Sequence, residues 1–269
     1  MSAFAQLARV FLLVALCCSA AYADMYPNLV VVSAANIPDA GLASENNAGD
    51  VAVPALGVVK PDLGKFAPDK LERAEPFGLP MSAALPADLP AKWQELQSRI
   101  LADEKVLAAC RADESACSKA ARRFLSFVDL AREREGRARL GWVNRAVNLS
   151  IRPVSDLDQY GYPDYWASPL QTLGSGAGDC EDYAIVKYVA LRDVGFDPSD
   201  LRFVIVRDMA RQTDHAVVTV RDGQDWLILD NRTMLILNAE DARQYQPLFS
   251  LDQQSIRAFA SAADHVTGR

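Results

Sequence analysis

One stretch of the chain joins a polar, glycine-rich turn to an apolar helix: GAGDCEDYAIVKYVALRDVG, residues 176–195. Ala184 and Tyr188 have the four-residue spacing of one helix face, and Gly195 is a typical helix stop. The stretch therefore predicts a buried helix that begins at Cys180. A cysteine at a helix N-terminus is favoured as a thiolate, because the unpaired N–H groups and the helix dipole stabilise negative charge there.

Predicted helices precede this stretch and predicted strands follow it. Upstream, apolar residues recur at helical spacing in three segments: residues 93–107, 124–131 and 137–149. Residues 153–178, rich in glycine and proline, indicate a long ordered loop. Downstream, apolar and β-branched runs predict three strands, with Asp222-Gly223 as a hairpin turn between the last two: residues 202–207, 215–221 and 226–230. This order predicts an α+β fold, a helical N-terminal lobe followed by an antiparallel sheet.

Composition and charge narrow the class of protein. The chain has 269 residues, half of them hydrophobic, which is enough to bury a sizeable core. Its 28 basic and 35 acidic residues give a net charge of −7. Since no overall positive field exists to attract a phosphate backbone, we expect no nucleic-acid partner.

The N-terminus has the pattern of an export signal. Arg9 precedes an apolar run at residues 10–18, and residues 21–23 read Ala-Tyr-Ala, as at a signal-peptidase site. The run has about half of the roughly 20 residues that a membrane-spanning helix needs. We therefore expect cleavage after Ala23, export to the periplasm and no stable membrane insertion.

The mature chain divides into two predicted parts after the signal peptide of residues 1–23. Residues 24–90 are rich in proline and predict an extension that is flexible or only loosely docked. Residues 91–269 hold the predicted helices and strands and form the predicted domain.

Export makes a disulfide expected. On a continuous helix, the Cα atoms of Cys110 and Cys117 would be roughly 10.5 Å apart, beyond the roughly 6.8 Å that a disulfide tolerates. A bridge therefore needs a break in the helix, and the polar residues 111–115 suit a turn. We predict two helices joined by a Cys110–Cys117 disulfide, with Cys180 left free. Two buried free thiols are the less favoured alternative.

Two histidines are candidates for a catalytic base. His265 lies in the polar C-terminal tail, whereas His215 begins an apolar strand, where an imidazole needs a polar partner. Asp230 ends the next strand, so antiparallel pairing can bring it beside His215; Asn231 is an alternative orienting residue. Cys180, His215 and Asp230 would then supply a nucleophile, a base and a carboxylate, as a thiol hydrolase requires.

Acidic residues crowd the candidate nucleophile. Asp179, Glu181 and Asp182 flank Cys180, and like charges oppose formation of a thiolate. A hard cation, most plausibly calcium, would neutralise them through oxygen ligands. A solvated acidic helix start that needs no metal fits the same residues equally well.

Four segments carry a family pattern: residues 164–173 (DYWASPLQTL), 178–184 (GDCEDYA), 215–217 (HAV) and 229–231 (LDN). Through them the chain resembles the bacterial transglutaminase-like cysteine proteases, specifically those of the LapG type. The resemblance extends from about Trp93 to Tyr245, and the GDCEDYA segment is its most specific part.

That resemblance implies a papain-like fold and a periplasmic, calcium-dependent cysteine endopeptidase. The family's catalytic triad falls on Cys180, His215 and Asp230, and its calcium-binding acidic residues fall on Asp179 and Glu181. The implied substrate is a large surface adhesin, cut in its N-terminal region at a dialanine and released from the cell, which regulates biofilm attachment. The implied partner is an inner-membrane cyclic di-GMP receptor of the LapD type, which sequesters the protease.

Other functions fit the same residues. The triad can also transfer its acyl group to an amine, which would make the protein a transglutaminase or acyltransferase. A peptidoglycan-cleaving thiol peptidase is a further alternative, although Glu181-Asp182 departs from what is expected of that group. Outside enzymes, the domain could be a non-catalytic binding module, or the triad residues could bind zinc, for which a single cysteine is thin support.

Overall fold

The structure is a computed structural model that describes residues 75–82 and 85–260. The predicted signal peptide, most of the predicted extension, and His265 lie outside the described residues. The helices among the described residues are α1 (Leu89–Ala112), α2 (Lys119–Arg132), α3 (Gly136–Asn148), α4 (Asp156–Tyr160), α5 (Pro169–Ser175) and α6 (Cys180–Asp193). The strands are β1 (Met81–Ser82), β2 (Arg152–Pro153), β3 (Ala177–Gly178), β4 (Leu201–Asp208), β5 (Thr213–Asp222), β6 (Asp225–Leu229), β7 (Leu237–Asn238), β8 (Tyr245–Leu251) and β9 (Ile256–Phe259).

Seven of these strands form one antiparallel sheet, in the order β1-β9-β8-β4-β5-β6-β7. β5 and β6 form the predicted hairpin, in which Asp222 pairs with Asp225. Gly223 lies between them with a φ of 68°, a left-handed conformation that glycine adopts without steric cost. The predicted α+β fold, with its main antiparallel strands after the helices, is confirmed.

Helix α6 forms the centre of the domain. All residues from Cys180 to Leu191 are buried. The helix packs against β4 and β5 and also against α2, α3 and α5. A helix that is covered on all sides must carry apolar residues around most of its circumference, as this one does. Its N-terminus, with Cys180, is therefore fixed inside the protein.

The sheet separates two apolar cores. Along β4, Phe203 and Ile205 belong to the core shared with the helices, whereas Val204 and Val206 belong to a smaller core. Successive strand residues point to opposite faces, so the smaller core lies on the other side of the sheet. It also contains Tyr245. Burial on both faces explains why the strand sequences are almost continuously apolar.

Residues 153–178 are not simply the loop that the sequence predicted, because they contain α4 and α5. The Ser155 side chain caps the start of α4 by accepting the Asp158 backbone N–H. Gly161 and Gly176 end α4 and α5 with φ values of 75° and 65°. Helices this short do not repeat an apolar face, so the periodicity that identifies longer helices is missing here.

Residues 75–82 pack with the domain, although the sequence placed them in the extension. β1 pairs with β9, with Met81 opposite Phe259. The buried Glu75 carboxylate accepts hydrogen bonds from Arg202 at 2.9 and 3.0 Å. This corrects the boundary predicted at residue 90 for the part of the extension that the structure describes.

The prolines of this part occupy positions that tolerate them. Pro76 opens a 3₁₀ turn, and Pro90 lies in the first turn of α1. The missing N–H of proline costs nothing at a helix start, since those N–H groups have no partner within the helix. Proline density was therefore a poor guide to flexibility in this part of the chain.

Cys110 and Cys117 form the predicted disulfide, with their Cα atoms 4.5 Å apart. α1 ends at Ala112 and α2 begins at Lys119, so the helix breaks between the two cysteines as expected.

Removing this disulfide with the double variant Cys110→Ser/Cys117→Ser is expected to destabilise the protein. A loop of this length gives about 2–3 kcal/mol from the lost constraint on the unfolded chain. Chemical denaturation measures the difference in free energy of unfolding. Mass spectrometry without reduction should find the two peptides linked and Cys180 outside any disulfide, and a bridge that contains Cys180 would contradict this pairing.

No helix among the described residues combines the length and the apolar character that crossing a membrane requires.

Candidate active site and cation site

His215 and Asp230 are hydrogen-bonded to each other in the interior. Nε2 of His215 lies 2.8 Å from Oδ1 of Asp230, and the two side chains are 0% and 2% exposed. The strand register explains the contact. Val218 pairs with Leu229, so the next residue, Asp230, comes opposite Val217. His215 lies two residues further along the same face and is therefore the diagonal neighbour of Asp230.

Asp230 accepts two more hydrogen bonds, from the Arg232 backbone N–H to Oδ1 at 2.9 Å and from the Tyr245 hydroxyl to Oδ2 at 2.5 Å. Burial alone would raise the pKa of Asp230. Attraction to His215 when its imidazole is protonated, together with the hydrogen bonds from His215, Arg232 and Tyr245, outweighs burial and holds that pKa well below its ordinary value. Asp230 is therefore an ionised carboxylate at neutral pH.

The ionised Asp230 determines which nitrogen of the His215 imidazole carries the proton. A carboxylate can only accept, so Nε2 of His215 donates to Asp230, and Nδ1 is left as the acceptor in the neutral ring. Nδ1 is buried and makes no hydrogen bond to any described residue. Asn231, the alternative orienting residue, does not accept a hydrogen bond from His215, because its buried Oδ1 has no hydrogen-bond partner among the described residues.

Cys180 begins α6, is 0% exposed, and lies outside the Cys110–Cys117 disulfide. Its thiol donates to Oε2 of Glu181 at 2.9 Å. β5, the strand that carries His215, packs directly against α6. The structure thus joins His215 to Asp230 and places the thiol on the neighbouring helix, without a hydrogen bond from the thiol to Nδ1 of His215.

Three carboxylates converge at the start of α6. Asp156, Asp179 and Asp182 each offer an oxygen, and these oxygens lie within 4.8 Å of one another. β2 and β3 bring them together, since Pro153 pairs in parallel with Gly178 and so sets the start of α4 beside Asp179. Asp179 and Asp182 are three residues apart, which places them on the same side of a helical turn.

Gly178 allows Asp182 to approach closely. A Cβ added at Gly178 would lie 2.7 Å from Cβ of Asp182, too close for any side chain at position 178. Oδ1 of Asp182 accepts the backbone N–H of Ala167 at 2.9 Å. The Asp156 carboxylate likewise accepts the backbone N–H of Tyr165. The backbone therefore fixes two of the three carboxylates.

One oxygen of each carboxylate in this cluster has no donor among the described residues. Burial, with the nearby negative charges, raises the pKa of Asp156 to about 7 and also raises the pKa of Asp179 and Asp182. Oδ1 of Asp156, Oδ1 of Asp179 and Oδ2 of Asp182 have no hydrogen-bond partner among the described residues. Buried oxygens without donors are ligands suited to a hard cation, so the cluster fits such an ion.

The two residues predicted to bind the metal differ in their surroundings. Asp179 belongs to the cluster. The Glu181 carboxylate instead accepts the Cys180 thiol, although its charge also raises the pKa of the three aspartates. Asp156 was missed, because no local pattern connects it to residues more than twenty positions later. Asp182 could have been chosen from its three-residue spacing to Asp179.

The chain belongs to the bacterial transglutaminase-like cysteine proteinases, whose family model matches residues 105–262. The matched range contains Cys180, His215 and Asp230. The predicted family is confirmed, and with it the transglutaminase-like fold and the general class of cysteine protease.

Solved structures of LapG from Legionella pneumophila are similar to this chain. The calcium-bound form is 25% identical, with 58% of this chain and 87% of that chain covered and a TM-score of 0.49. The EGTA-treated form is also 25% identical, with 60% and 86% covered and the same TM-score of 0.49. A search of curated proteins gave no significant match.

Proposed function

We propose that the protein is an exported cysteine endopeptidase in which Cys180 is the nucleophile, His215 the base and Asp230 the orienting carboxylate. The observation that carries this proposal is the buried hydrogen bond between His215 and Asp230, 2.8 Å long, on a strand that packs against the helix begun by Cys180. Membership of a cysteine protease family supports the same assignment.

The residues divide the reaction among them. Asp230 fixes the Nε2 proton of His215, so Nδ1 takes the proton of the Cys180 thiol. The thiolate attacks a peptide carbonyl, and the backbone N–H of Cys180, at the start of α6, stabilises the oxyanion. The protonated His215 gives its proton to the leaving amine. Water then hydrolyses the thioester and restores the thiol.

Calcium is the proposed cation of the acidic cluster. One of the similar LapG structures is a calcium-bound form, and the oxygens of Asp156, Asp179 and Asp182 that lack a described donor suit that ion. Glu181 stays an expected ligand, because its negative charge raises the pKa of all three aspartates. A bound calcium ion supplies positive charge that compensates carboxylates otherwise opposed to a thiolate.

The cluster gives the metal-free protein a specific pH dependence. A carboxyl whose pKa is higher in the folded than in the unfolded state binds its proton more tightly when folded. Its stabilisation is complete at acid pH, below the unfolded value, and is lost as the pH rises through about 7, the pKa of Asp156. We therefore expect the protein in EGTA to lose stability between pH 5 and pH 7.5.

Thermal denaturation in EGTA and in calcium measures this effect. The difference in Tm between the two conditions should widen from pH 5 to pH 7.5 by at least about 2–4 °C, which corresponds to about 1 kcal/mol in a domain of this size. Groups outside the cluster titrate in both conditions, so their contributions to Tm cancel in the difference. One such group is the buried Lys187, whose pKa burial lowers to about 7. A gap that stays constant with pH would contradict a cation at these carboxylates.

For the substrate we propose the N-terminal region of a large surface adhesin, cut at a dialanine so that the adhesin is released and biofilm attachment ends. For the partner we propose an inner-membrane cyclic di-GMP receptor of the LapD type, which would withhold the periplasmic protease from the adhesin. The resemblance of the GDCEDYA segment to the LapG type supports both.

Incubation of the purified protein with exported adhesin fragments, in calcium and in EGTA, tests this function. Mass spectrometry of the products should find a single cut between two alanines, in calcium only. A matched fragment with the dialanine changed to Ala-Asp should stay intact. Transfer of the new acyl end to an added primary amine, with no free acid formed, would assign an acyltransferase instead. No cleavage of any dialanine fragment would reject this substrate.

A further inference from the structure

Tyr245 contacts both members of the His215–Asp230 pair. Its hydroxyl donates to Oδ2 of Asp230 at 2.5 Å, and its ring centroid lies 5.8 Å from that of His215. Tyr245 is 8% exposed and is the first residue of β8. Asp230 therefore receives a buried donor on the oxygen that His215 does not use.

The other oxygen of Asp230 has a second support. Oδ1 accepts the Arg232 backbone N–H, and Nη1 of Arg232 lies 2.6 Å from Oδ2 of Asp208, whose side chain is 0% exposed. Asp208 is itself fixed, since its Oδ1 accepts the backbone N–H groups of Ala210 and Arg211, both at 3.0 Å.

The two supports come from one end of the sheet. Asp208, the last residue of β4, pairs with Tyr245, the first residue of β8. Neighbouring strands thus hold Asp230 through both of its oxygens. A carboxylate bound through one oxygen can rotate about its Cβ–Cγ bond, whereas donors on both oxygens oppose that rotation.

We propose that Tyr245 is a positioning residue, which holds the Asp230 carboxylate in the orientation that receives Nε2–H of His215, with the Asp208–Arg232 pair as the support of the second oxygen. This inference rests on the triad proposed above. Tyr245 touches neither the thiol's proton acceptor, Nδ1, nor the reacting carbonyl in that mechanism, so its effect passes through Asp230.

Several charged or titratable groups lie near Asp230 and Tyr245, so the variant used in the test must not change a charge. Lys187 acts on Asp230 from α6, and Arg232 and Asp208 act on Tyr245. Tyr245→Phe removes only the hydroxyl and keeps the ring in the smaller core. Tyr188→Phe is the matched control, because it removes the hydroxyl of another buried tyrosine, whose ring lies against Trp93.

The test measures alkylation of Cys180 by iodoacetamide at pH 7 in the full, calcium-treated chain, followed by mass spectrometry of the Cys180 peptide. Tyr245→Phe should lower the rate about tenfold, the usual consequence of removing a hydrogen bond to a charged group. Tyr188→Phe should leave it unchanged. In an Asp230→Ala background, Tyr245→Phe should change the rate less than about twofold, since the group it acts through is gone.

Two results would overturn the inference: an unchanged rate in Tyr245→Phe, or an equal loss in both backgrounds, which would indicate a general structural effect. Thermal denaturation shows whether each variant is folded, and Asp230→Leu, which also lacks an oxygen for the Tyr245 hydroxyl, replaces Asp230→Ala if the latter is not. The triad has its own control. If Cys180 is labelled as fast in His215→Ala as in the unchanged protein, the proposed triad is wrong. The role proposed for Tyr245 is then wrong too, and the His215→Ala result shows that the triad is the cause.

Discussion

Cys180→Ala is expected to abolish peptide cleavage, by at least about 10⁴-fold, because no other group can form the thioester. The fold should survive. The side chain is 0% exposed, but alanine removes a single sulfur atom and keeps the helix start. Cleavage of an adhesin fragment, followed by mass spectrometry, measures the loss, and thermal denaturation measures the stability.

A matched control separates loss of chemistry from loss of packing. Ile185→Val removes one buried methylene from the same helix, at a residue that is 1% exposed. It should cost about 0.5–1.5 kcal/mol of stability and leave cleavage nearly unchanged. Retained cleavage by Cys180→Ala would reject the thiol mechanism.

Neutralising the acidic cluster is expected to lower calcium affinity and activity together. Each of the changes Asp179→Asn, Asp182→Asn and Glu181→Gln removes a negative charge, which by itself would favour the thiolate. We nevertheless expect each to reduce activity, because calcium affinity depends on the number of charged ligands and should fall about tenfold or more. Calorimetric titration with calcium measures the affinity, and chelation by EGTA should silence the unchanged enzyme. Excess calcium should restore it and magnesium only poorly, because magnesium demands a stricter octahedral geometry.

Asp158→Asn is the control for this series. Asp158 lies on α4 with Asp156 but is exposed and outside the cluster, where it accepts the Ser155 hydroxyl at 2.6 Å. This variant should bind calcium normally. Higher activity in any of the three cluster variants, or indifference of the unchanged enzyme to EGTA, would show that the carboxylates are only an acidic helix start.

Local signals were enough to select the candidate nucleophile and its candidate partners. Cys180 stands out because it begins a helix after a glycine-rich turn and is left over once Cys110 and Cys117 pair. His215 stands out because the chain has two histidines and the other lies in the tail. The hairpin turn predicted at Asp222-Gly223 then gives the strand register that brings Asp230 beside His215.

Contacts between distant residues could not be found in this way. Asp156 joins Asp179 only through the parallel pairing of β2 and β3, two strands of two residues each, which have too little sequence to show a period. Glu75 meets Arg202 across 127 positions. In both cases the tertiary fold, and no local propensity, decides which charges meet.

The support of Asp230 by Tyr245 was missed for a similar reason. The family resemblance ends at Tyr245, and nothing in the neighbouring sequence indicates a polar role for its side chain. Its hydroxyl reaches Asp230 because β8 pairs with β4, which places it beside the end of β6 on the smaller core. A tyrosine at the start of an apolar strand is otherwise unremarkable in sequence.

The pH dependence of Cys180 alkylation in the calcium-treated protein reports activation of the thiol by His215 without any substrate. We predict rapid labelling of the unchanged protein at pH 6.5, well below the value of about 8.5 at which an ordinary thiol ionises. Labelling should be at least about tenfold slower in His215→Ala, since the imidazole that takes the proton is absent. Identical pH curves for the two proteins would contradict the activation of Cys180 by His215.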